Sequence, residues 1–196
     1  MLKHHHDKKK RCGWCEGNAL YEKYHDTEWG VPLFDDQKLF EFLILETFQA
    51  GLSWITVLKK RENFRTAFDD FDYRKIANYD NLKFQELVQN KGIIRNKLKI
   101  KAAISNAQAF LNIQKEFGRF SDYIWSFVDG KPIKNHITDY KKLPANTPLS
   151  DAISMDLKTR GFKFVGSTVV YAHMQATGMV NDHEISCFRY KEVSYL

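Results

Sequence analysis

Apolar side chains recur at helical spacing along most of the chain, and two stretches show this pattern most clearly. Residues 39–48 are largely apolar and follow Asp35 and Asp36, residues that often cap a helix N-terminus. From about Asn96 to Phe117, apolar side chains lie three and four positions apart. Both stretches are predicted to be helices, and the second is predicted to be long, with one buried face.

Further helices are predicted for residues 53–62, for the stripe of Phe64, Phe68 and Phe71, for residues 82–90 and for residues 150–160, with Ser150 as the cap. Residues 164–177 include a run that would suit a strand, but the length of the segment favours a helix. Residues 129–149 contain three prolines and a glycine and are predicted to form a loop. Because no strand ladder is evident elsewhere, the predicted fold is all-α.

The length of 196 residues suits one domain or two closely packed lobes, and 43% of residues are apolar, enough for a sizeable core. No run of 18 apolar residues occurs, so no membrane span is expected. The N-terminus has no apolar signal-peptide core, and the expected compartment is the cytoplasm.

The net charge of +6 is concentrated at the N-terminus, where residues 1–11 carry five basic side chains and one acidic side chain. The rest of the chain is only mildly basic, so charge alone supports nucleic-acid binding weakly. Residues 1–10, which include His4, His5 and His6, are expected to form a disordered basic tail.

Two pairs of cysteine and histidine residues lie near opposite ends of the chain. His183 and Cys187 are four residues apart after Asn181 and Asp182, so a helix starting there would place both on one face. Cys12 and His25 offer two further ligands near the N-terminus. Two cysteines and two histidines form a closed tetrahedral zinc site, which would join the N-terminal segment to the C-terminal one.

Three alternatives to this site stay open at this point. Cys12 and Cys15 form a C-x-x-C pair, so Cys15 could replace His25 as a ligand. The order His183-Glu184-x-x-Cys187 also resembles the helical motif of zinc hydrolases, with Glu184 as a base. In addition, the cysteines and histidines could be ordinary side chains without a metal. An odd count of three cysteines argues against a disulfide framework.

Residues 91–95 lie between two predicted helices and have the outline of a helix-hairpin-helix. Gly92 would allow a tight turn by adopting a positive φ, and backbone N–H groups of the next helix could hold a phosphate. Positive side chains near this point would strengthen such a contact; they are Arg95, Lys97, Lys99 and Lys101. The alternative is an ordinary pair of packed helices with a solvated basic face.

Glu46 lies within an apolar helical stretch, where a carboxylate is costly unless a cation or a donor pairs with it. The partner could be a lysine or arginine of the chain, or a cationic ligand. Several aromatic residues near Glu46 in sequence favour the ligand, because aromatic faces attract cations and stack on bases; they are Trp14, Tyr21, Tyr24, Trp29 and Trp54. Their alternative role is core packing.

These residues stand in motifs that resemble the DNA-3-methyladenine glycosylase I family over roughly residues 11–190. The matching segments are 11–14, 24–32, 45–62, 92–95, 160–166 and 180–183. The resemblance implies an all-helical fold of the helix-hairpin-helix glycosylase superfamily, with a hairpin lobe at about 35–125 and a zinc lobe at 11–34 and 150–190. Residues 191–196 would form a tail.

The resemblance also implies residue roles. One structural zinc would be held by Cys12, His25, His183 and Cys187, without Cys15. Glu46 and Tyr24 would act on the base, and the pocket would be lined by Trp14, Tyr21, Trp29 and Trp54. Contacts with DNA would come from Gly51, Leu52, Gly92, Ile94 and Arg95, with Leu52 as a wedge at the lesion.

The activity implied is monofunctional hydrolysis of the glycosidic bond of 3-methyladenine in alkylated double-stranded DNA, with 3-methylguanine as a further candidate substrate. The damaged nucleotide would first be flipped out of the duplex. The enzyme is expected to act as a monomer, and no membrane is expected among its partners.

Overall fold

The computed structural model describes residues 9–194, which form eleven α-helices and two very short strands. The mostly helical fold confirms the all-α prediction. The helices are α1 (Ala19–Thr27), α2 (Asp36–Gln49), α3 (Trp54–Leu58), α4 (Arg61–Ala67), α5 (Tyr73–Ile76), α6 (Asn81–Gln89), α7 (Lys97–Phe117), α8 (Phe120–Ser126), α9 (Pro148–Thr159), α10 (Ser167–Ala176) and α11 (Phe188–Val193). The strands are β1 (Ile133–Lys134) and β2 (Val180–Asn181).

The two clearest sequence patterns form the two longest helices of the described chain. Asp35 caps α2 through its side chain, which accepts a hydrogen bond from the amide of Lys38, and Asn96 caps α7 in the same way. Every residue from Leu39 to Phe48 is buried, so α2 is a core helix that packs against α7 and α10.

Asp36 fixes α2 against the junction between α7 and α8. Its carboxylate accepts hydrogen bonds from the backbone amides of Phe120 at 2.9 Å and Ser121 at 2.8 Å, and from Gln114 Nε2 at 2.6 Å. Hydrogen bonds to a charged acceptor are stronger than those to a neutral acceptor. This contact holds the helix that carries Glu46 in a defined position.

The region after α2 differs from the prediction of a continuous helix over residues 53–62. The helix breaks at Lys59 and Lys60, and the side chain of Lys60 donates to the carbonyls of Lys91 and Gly92. Phe68 and Phe71 lie beyond the end of α4, with Phe71 in a 3₁₀ turn of Asp69–Phe71. These side chains are buried as expected, but tertiary contacts override the local helical spacing.

The start of α9 also differs from the prediction. The cap is Thr147 instead of Ser150, because Pro148 occupies the first helical position, where its missing N–H costs nothing. Ser150 completes a capping box with Thr147. The segment after it confirms the choice of a helix over a strand, since Ser167–Ala176 is helical.

The structure corrects three further expectations, one about residues 129–149 and two about the C-terminal segment. His183 and Cys187 do not lie on a helix: Asn181 belongs to β2, and α11 begins only at Phe188. β1 and β2 pair in parallel, so the predicted loop 129–149 contains a short strand. Helix α11 continues to the buried Val193, and residues 191–193 therefore belong to the fold instead of a tail.

Most of the predicted N-terminal tail, residues 1–8, lies outside the described residues. Of its last two residues, Lys10 accepts a hydrogen bond from the amide of Phe188, and the ammonium group of Lys9 lies 4.6 Å from the ring centre of Phe188. No helix within residues 9–194 is long and apolar enough to cross a membrane.

Candidate active site and metal centre

A cavity of about 270 Å³ lies between helices α1, α2, α3 and α10 and a loop near the N-terminus. Its volume is near the lower end for ligand pockets, which suits one small heterocycle. All six side chains predicted to form a pocket line it, together with five that the sequence analysis did not find. The lining residues are Trp14, Tyr21, Tyr24, Trp29, Glu46, Gln49, Trp54, Tyr140, Leu143, Ala172 and Gln175; we call this cavity the aromatic pocket.

Helical spacing explains how the chain directs several of these side chains to one place. Tyr21 and Tyr24 are three residues apart on α1, and Glu46 and Gln49 have the same spacing on α2. Gln49 could therefore have been found from its spacing to Glu46. Tyr140 and Leu143 come from the loop between β1 and α9, and no sequence signal pointed to them.

The aromatic rings of the pocket support one another. Trp14 meets Tyr21 and Trp29 edge to face, with ring centres 5.1 and 5.0 Å apart, and Tyr24 lies 5.5 Å from Trp54. Edge-to-face pairs are favourable because the positive edge of one ring faces the negative face of the other. These contacts hold the ring faces in place before a ligand enters.

Cys12, His25, His183 and Cys187 converge in a buried cluster, as predicted. Their ligand atoms all lie within 4.8 Å of one another. Cys187 Sγ is 3.4 Å from His25 Nε2 and 3.7 Å from His183 Nδ1, and Cys12 Sγ is 3.6 Å from His183 Nδ1. The cluster joins the N-terminal and C-terminal segments of the described chain.

These distances fit a tetrahedral metal ion. Typical bonds from zinc to sulfur and nitrogen would place neighbouring ligand atoms about 3.6 Å apart in a tetrahedron, close to the spacings observed. The hydrogen bond between the two cysteines lowers the pKa of Cys187 and raises that of Cys12, so it favours one thiolate in the pair, the form in which cysteine binds metals. The cluster could therefore hold a metal ion.

The imidazole rings are oriented by contacts on the side away from the cluster. His25 Nδ1 is 2.8 Å from Asp26 Oδ1, and Asp26 in turn is bound by Arg11 at 2.7 Å. His183 Nε2 is 3.0 Å from the carbonyl oxygen of Trp29. Such partners fix the tautomer and the direction of metal-binding histidines.

Two of the alternatives from the sequence are not supported by this geometry. Cys15 lies outside the cluster: its Sγ donates to the carbonyl of Cys12 at 3.1 Å, and burial raises its pKa to about 12. The carboxylate of Glu184 accepts hydrogen bonds from the amides of Gly13 and Tyr140. Four protein ligands also leave no open position for a hydrolytic water.

Comparison with known proteins places this geometry in a family. The family model for methyladenine glycosylase matches residues 14–190. The chain belongs to the methyladenine glycosylase family. It is 51% identical over 181 residues to DNA-3-methyladenine glycosylase 1 of Escherichia coli (strain K12), covering 92% of this chain and 97% of that protein.

Solved structures of 3-methyladenine DNA glycosylase I share the fold. One superposes with a TM-score of 0.88 at 53% identity, covering 91% of this chain and 98% of the other. The Staphylococcus aureus protein, in a study of 3-methyladenine recognition, gives a TM-score of 0.88 at 35% identity over 91% and 95% of the two chains.

Glu46 is buried and has no cationic partner within residues 9–194. Only 4% of the residue is exposed, and Oε2 has no hydrogen-bond partner among the described residues. Burial raises the pKa of Glu46 to about 8. Arg61, a cation in the same part of the core, pairs instead with Glu41 at 2.7 Å and Glu28 at 2.6 Å.

A second polar atom of the pocket, the indole Nε1 of Trp54, has no hydrogen-bond partner in the part of the chain that the structure describes. Buried polar groups are rarely left unpaired in native proteins, because each costs about 1–3 kcal/mol. Burial also raises the pKa of Tyr24, so its hydroxyl keeps the proton and can donate a hydrogen bond. Together, these groups favour a polar ligand over the alternative of simple core packing.

The loop between α2 and α3 connects two sides of the aromatic pocket, because Gln49 ends α2 and Trp54 begins α3. Gly51 is exposed with a φ of 84°, and Leu52 is 43% exposed. These two exposed residues lie between the lining residues Gln49 and Trp54 in the chain and are available to a large partner.

Lys99 supports this loop instead of facing solvent beside Arg95, which corrects the prediction of its role. It is only 6% exposed, and its Nζ donates to the carbonyls of Phe48 at 3.0 Å and Ala50 at 2.8 Å. The last carbonyls of a helix lack internal partners and attract cations. Arg95, Lys97 and Lys101 are exposed as expected.

The segment between α6 and α7 forms a tight turn around Gly92. Its amide donates to Asn90 Oδ1 at 2.8 Å, and a Cβ at Gly92 would lie 3.0 Å from that oxygen and 3.2 Å from Asn63 Cβ. Gly92 does not have a positive φ, so the expected left-handed conformation is wrong. The lack of space for a Cβ explains the glycine at this position. Ile94 is half-buried beside the exposed Arg95.

Glu46→Gln is expected to stabilise the folded enzyme at alkaline pH, because an amide avoids the cost of a buried charge. The pKa of Glu46 rises from 4.5 to about 8 on folding, so its ionisation destabilises the wild type progressively across that window. The difference in the free energy of unfolding between Glu46→Gln and the wild type should reach up to about 5 kcal/mol above pH 8 and vanish below pH 4.5.

Urea unfolding at several pH values across the window measures this difference. Glu62→Gln is the control, since the Glu62 side chain is 81% exposed. A stability difference that stays constant with pH would show that Glu46 does not carry the shifted pKa.

Proposed function

We propose that this enzyme hydrolyses the N-glycosidic bond of 3-methyladenine in alkylated double-stranded DNA. Two relatives that are 51% identical to the chain carry the name DNA-3-methyladenine glycosylase, which supports this proposal. The observation that supports this most is the unpartnered carboxylate of Glu46 in the aromatic pocket. Methylation at N3 gives the adenine of DNA a formal positive charge, and a buried carboxylate facing aromatic rings suits a flat cation.

The nucleotide must leave the duplex before its base can enter the pocket, because the glycosidic bond is inaccessible in the stack. A damaged base that pairs poorly costs less to flip, which contributes to selection. The unstacked base would then gain stacking contacts with the rings, with Trp54 as the first choice. The other stacking or lining rings are Trp14, Tyr21 and Trp29.

Glu46 would accept hydrogen bonds from the base and favour its cationic form. In the empty pocket its pKa of about 8 keeps most of the side chain protonated at neutral pH. An arriving cation favours the carboxylate and lowers that pKa again. Tyr24 would add a directional hydrogen bond from its hydroxyl.

The base leaves as a neutral species, so departure needs no strong general acid. Attack of water on the sugar would complete the hydrolysis. No lysine is among the described lining residues, which supports a monofunctional hydrolase over a lyase that forms a Schiff base. 3-Methylguanine is a further candidate substrate, since it carries the same charge.

DNA would be held by two parts of the surface. Gly51 and Leu52 are exposed in the loop between the lining residues Gln49 and Trp54, and Leu52 could act as a wedge at the lesion. The turn at Gly92, Ile94 and Arg95 would act as the hairpin of a helix-hairpin-helix, with backbone amides and Arg95 on the phosphates. Such contacts would not depend on DNA sequence.

The Cys/His cluster would hold one structural Zn²⁺, because two cysteines and two histidines are a preferred ligand set of that ion. The division into a hairpin lobe and a zinc lobe, a monomeric state and a cytoplasmic location stay predictions from the sequence.

Wild-type enzyme is expected to release 3-methyladenine from methylated duplex DNA, measured by chromatography of the freed bases. Glu46→Gln should lower kcat/KM by about 100-fold, a loss of about 3 kcal/mol of transition-state stabilisation. Glu62→Gln, on the exposed surface, should match the wild type.

Two results would contradict this proposal. Absence of release by folded, metal-loaded wild type would favour a DNA-binding protein without catalysis. Equal release by wild type and Glu46→Gln would remove Glu46 from the mechanism.

Cys187→Ser is expected to lose the zinc and several kcal/mol of stability, because it removes one of four ligands of a structural site. Cys15→Ser is the matched control, since Cys15 is buried but hydrogen bonds only to the Cys12 carbonyl. Atomic absorption should find one zinc in the control, and thermal unfolding should be near that of the wild type. Full zinc content in Cys187→Ser would disprove the site.

Arg95→Ala is expected to weaken DNA binding and to reduce the slope of log affinity against log salt by about 1, as for one lost phosphate contact. Lys99→Met should leave the slope unchanged because Lys99 is buried. Lys75→Ala is the control for loss of an exposed positive charge outside the turn, since Lys75 lies on α5. Fluorescence anisotropy at several salt concentrations gives the slopes, and an unchanged slope in Arg95→Ala would exclude this contact.

A further inference from the structure

The loop that carries Tyr140 runs beside the segment that carries His183. β1 pairs with β2 in register, Ile133 with Val180 and Lys134 with Asn181. The pairing continues past the strands, where Asn135 Nδ2 donates to Asp182 Oδ1 at 2.6 Å and the amide of Ile185 donates to the carbonyl of Ile137 at 2.8 Å. The path of this loop is therefore set by the segment next to the metal centre.

Three atoms of Glu184 make hydrogen bonds, two with the N-terminal segment and one with the loop of Tyr140. Its backbone amide donates to Cys12 Sγ at 3.3 Å. One carboxylate oxygen accepts from the amide of Gly13 at 3.2 Å, and the other accepts from the amide of Tyr140 at 3.1 Å. The side chain thus connects a metal-ligand segment directly to the backbone of Tyr140.

The ring of Tyr140 packs on the backbone at Gly13. A Cβ at that position would lie 2.8 Å from Tyr140 Cε1, closer than real Cβ contacts come, and 3.3 Å from Cδ1, which is a tight contact. Gly13 precedes Trp14, another lining residue of the aromatic pocket. Tyr140 is therefore seated against the same loop that supplies Trp14, and its position is restrained from both its backbone and its ring.

We infer that Tyr140 is a specificity-determining residue of the aromatic pocket and that Glu184 is its positioning residue. The inference rests on the proposed base-binding function. Tyr140 and Leu143 close the pocket on the side of the β1–α9 loop. With a cavity of only about 270 Å³, a restrained aromatic ring in the wall limits how large a base can enter.

Tyr140→Ala tests the size limit, with duplex DNA carrying 3-ethyladenine or 3-methyladenine as the probes. One methylene group in a tight pocket changes discrimination by about tenfold or more. The ratio of kcat/KM for 3-ethyladenine to that for 3-methyladenine should therefore rise about tenfold in Tyr140→Ala. Tyr140→Phe keeps the ring and should keep the wild-type ratio.

Binding of the two free bases, followed by tryptophan fluorescence, gives the same ratio without catalysis. If the wild type releases no base, only the proposed hydrolysis is contradicted. Binding of the free bases still tests whether Tyr140 limits the size of the base that enters the pocket. A Tyr140→Ala protein whose binding ratio and excision ratio equal those of the wild type would overturn the role of Tyr140.

Glu184→Ala tests the positioning role. It should retain the metal, because all four ligands remain, and should shift the ratio in the same direction as Tyr140→Ala. The double variant should show no larger shift than Tyr140→Ala, since both changes displace one ring. Glu184→Gln keeps one acceptor oxygen and should restore part of the wild-type ratio.

Two outcomes would overturn this part of the inference. An unchanged ratio in metal-loaded Glu184→Ala would show that Tyr140 holds its place without Glu184. Additive shifts in the double variant would show that the two residues act separately.

Discussion

The meeting of the two chain ends at the Cys/His cluster is the contact on which the pocket depends. Cys12 and His25 come from one end and His183 and Cys187 from the other, and their ligand atoms lie within 4.8 Å of one another. Trp14 follows directly after Cys12 and Gly13, and Tyr24 precedes His25 in α1. The same cluster therefore aligns several pocket rings, although none of its ligands lines the cavity.

The pocket combines this rigid frame with a group that weakens the fold. A buried carboxylate without a partner costs free energy, because water stabilises its charge better than an apolar core does. Glu46 carries that cost on α2, a helix held by the contacts of Asp36 at one end and Lys99 at the other. The surrounding structure thus keeps in place an acidic side chain that has no hydrogen-bond partner at Oε2 among the described residues.

Sequence patterns located the long helices and much of the site, but for different physical reasons. Helices α2 and α7 have caps and apolar spacing that depend only on nearby residues. The break between α3 and α4 arises from contacts of Lys60 with the turn at Gly92, which local spacing does not report. Lys99 looked like part of a basic surface, and only the packing of α7 against the end of α2 shows that it is buried.

By itself, the sequence determined the all-helical class, the four converging cysteines and histidines, and the aromatic residues around Glu46, because these follow from residue type, spacing and family motifs. Only the folded arrangement shows that His183 and Cys187 lie outside a helix, that Glu46 Oε2 has no hydrogen-bond partner among residues 9–194, and that Tyr140 and Leu143 complete the pocket. Such features depend on contacts between residues far apart in the chain, and no local pattern encodes which distant side chain arrives at a given site.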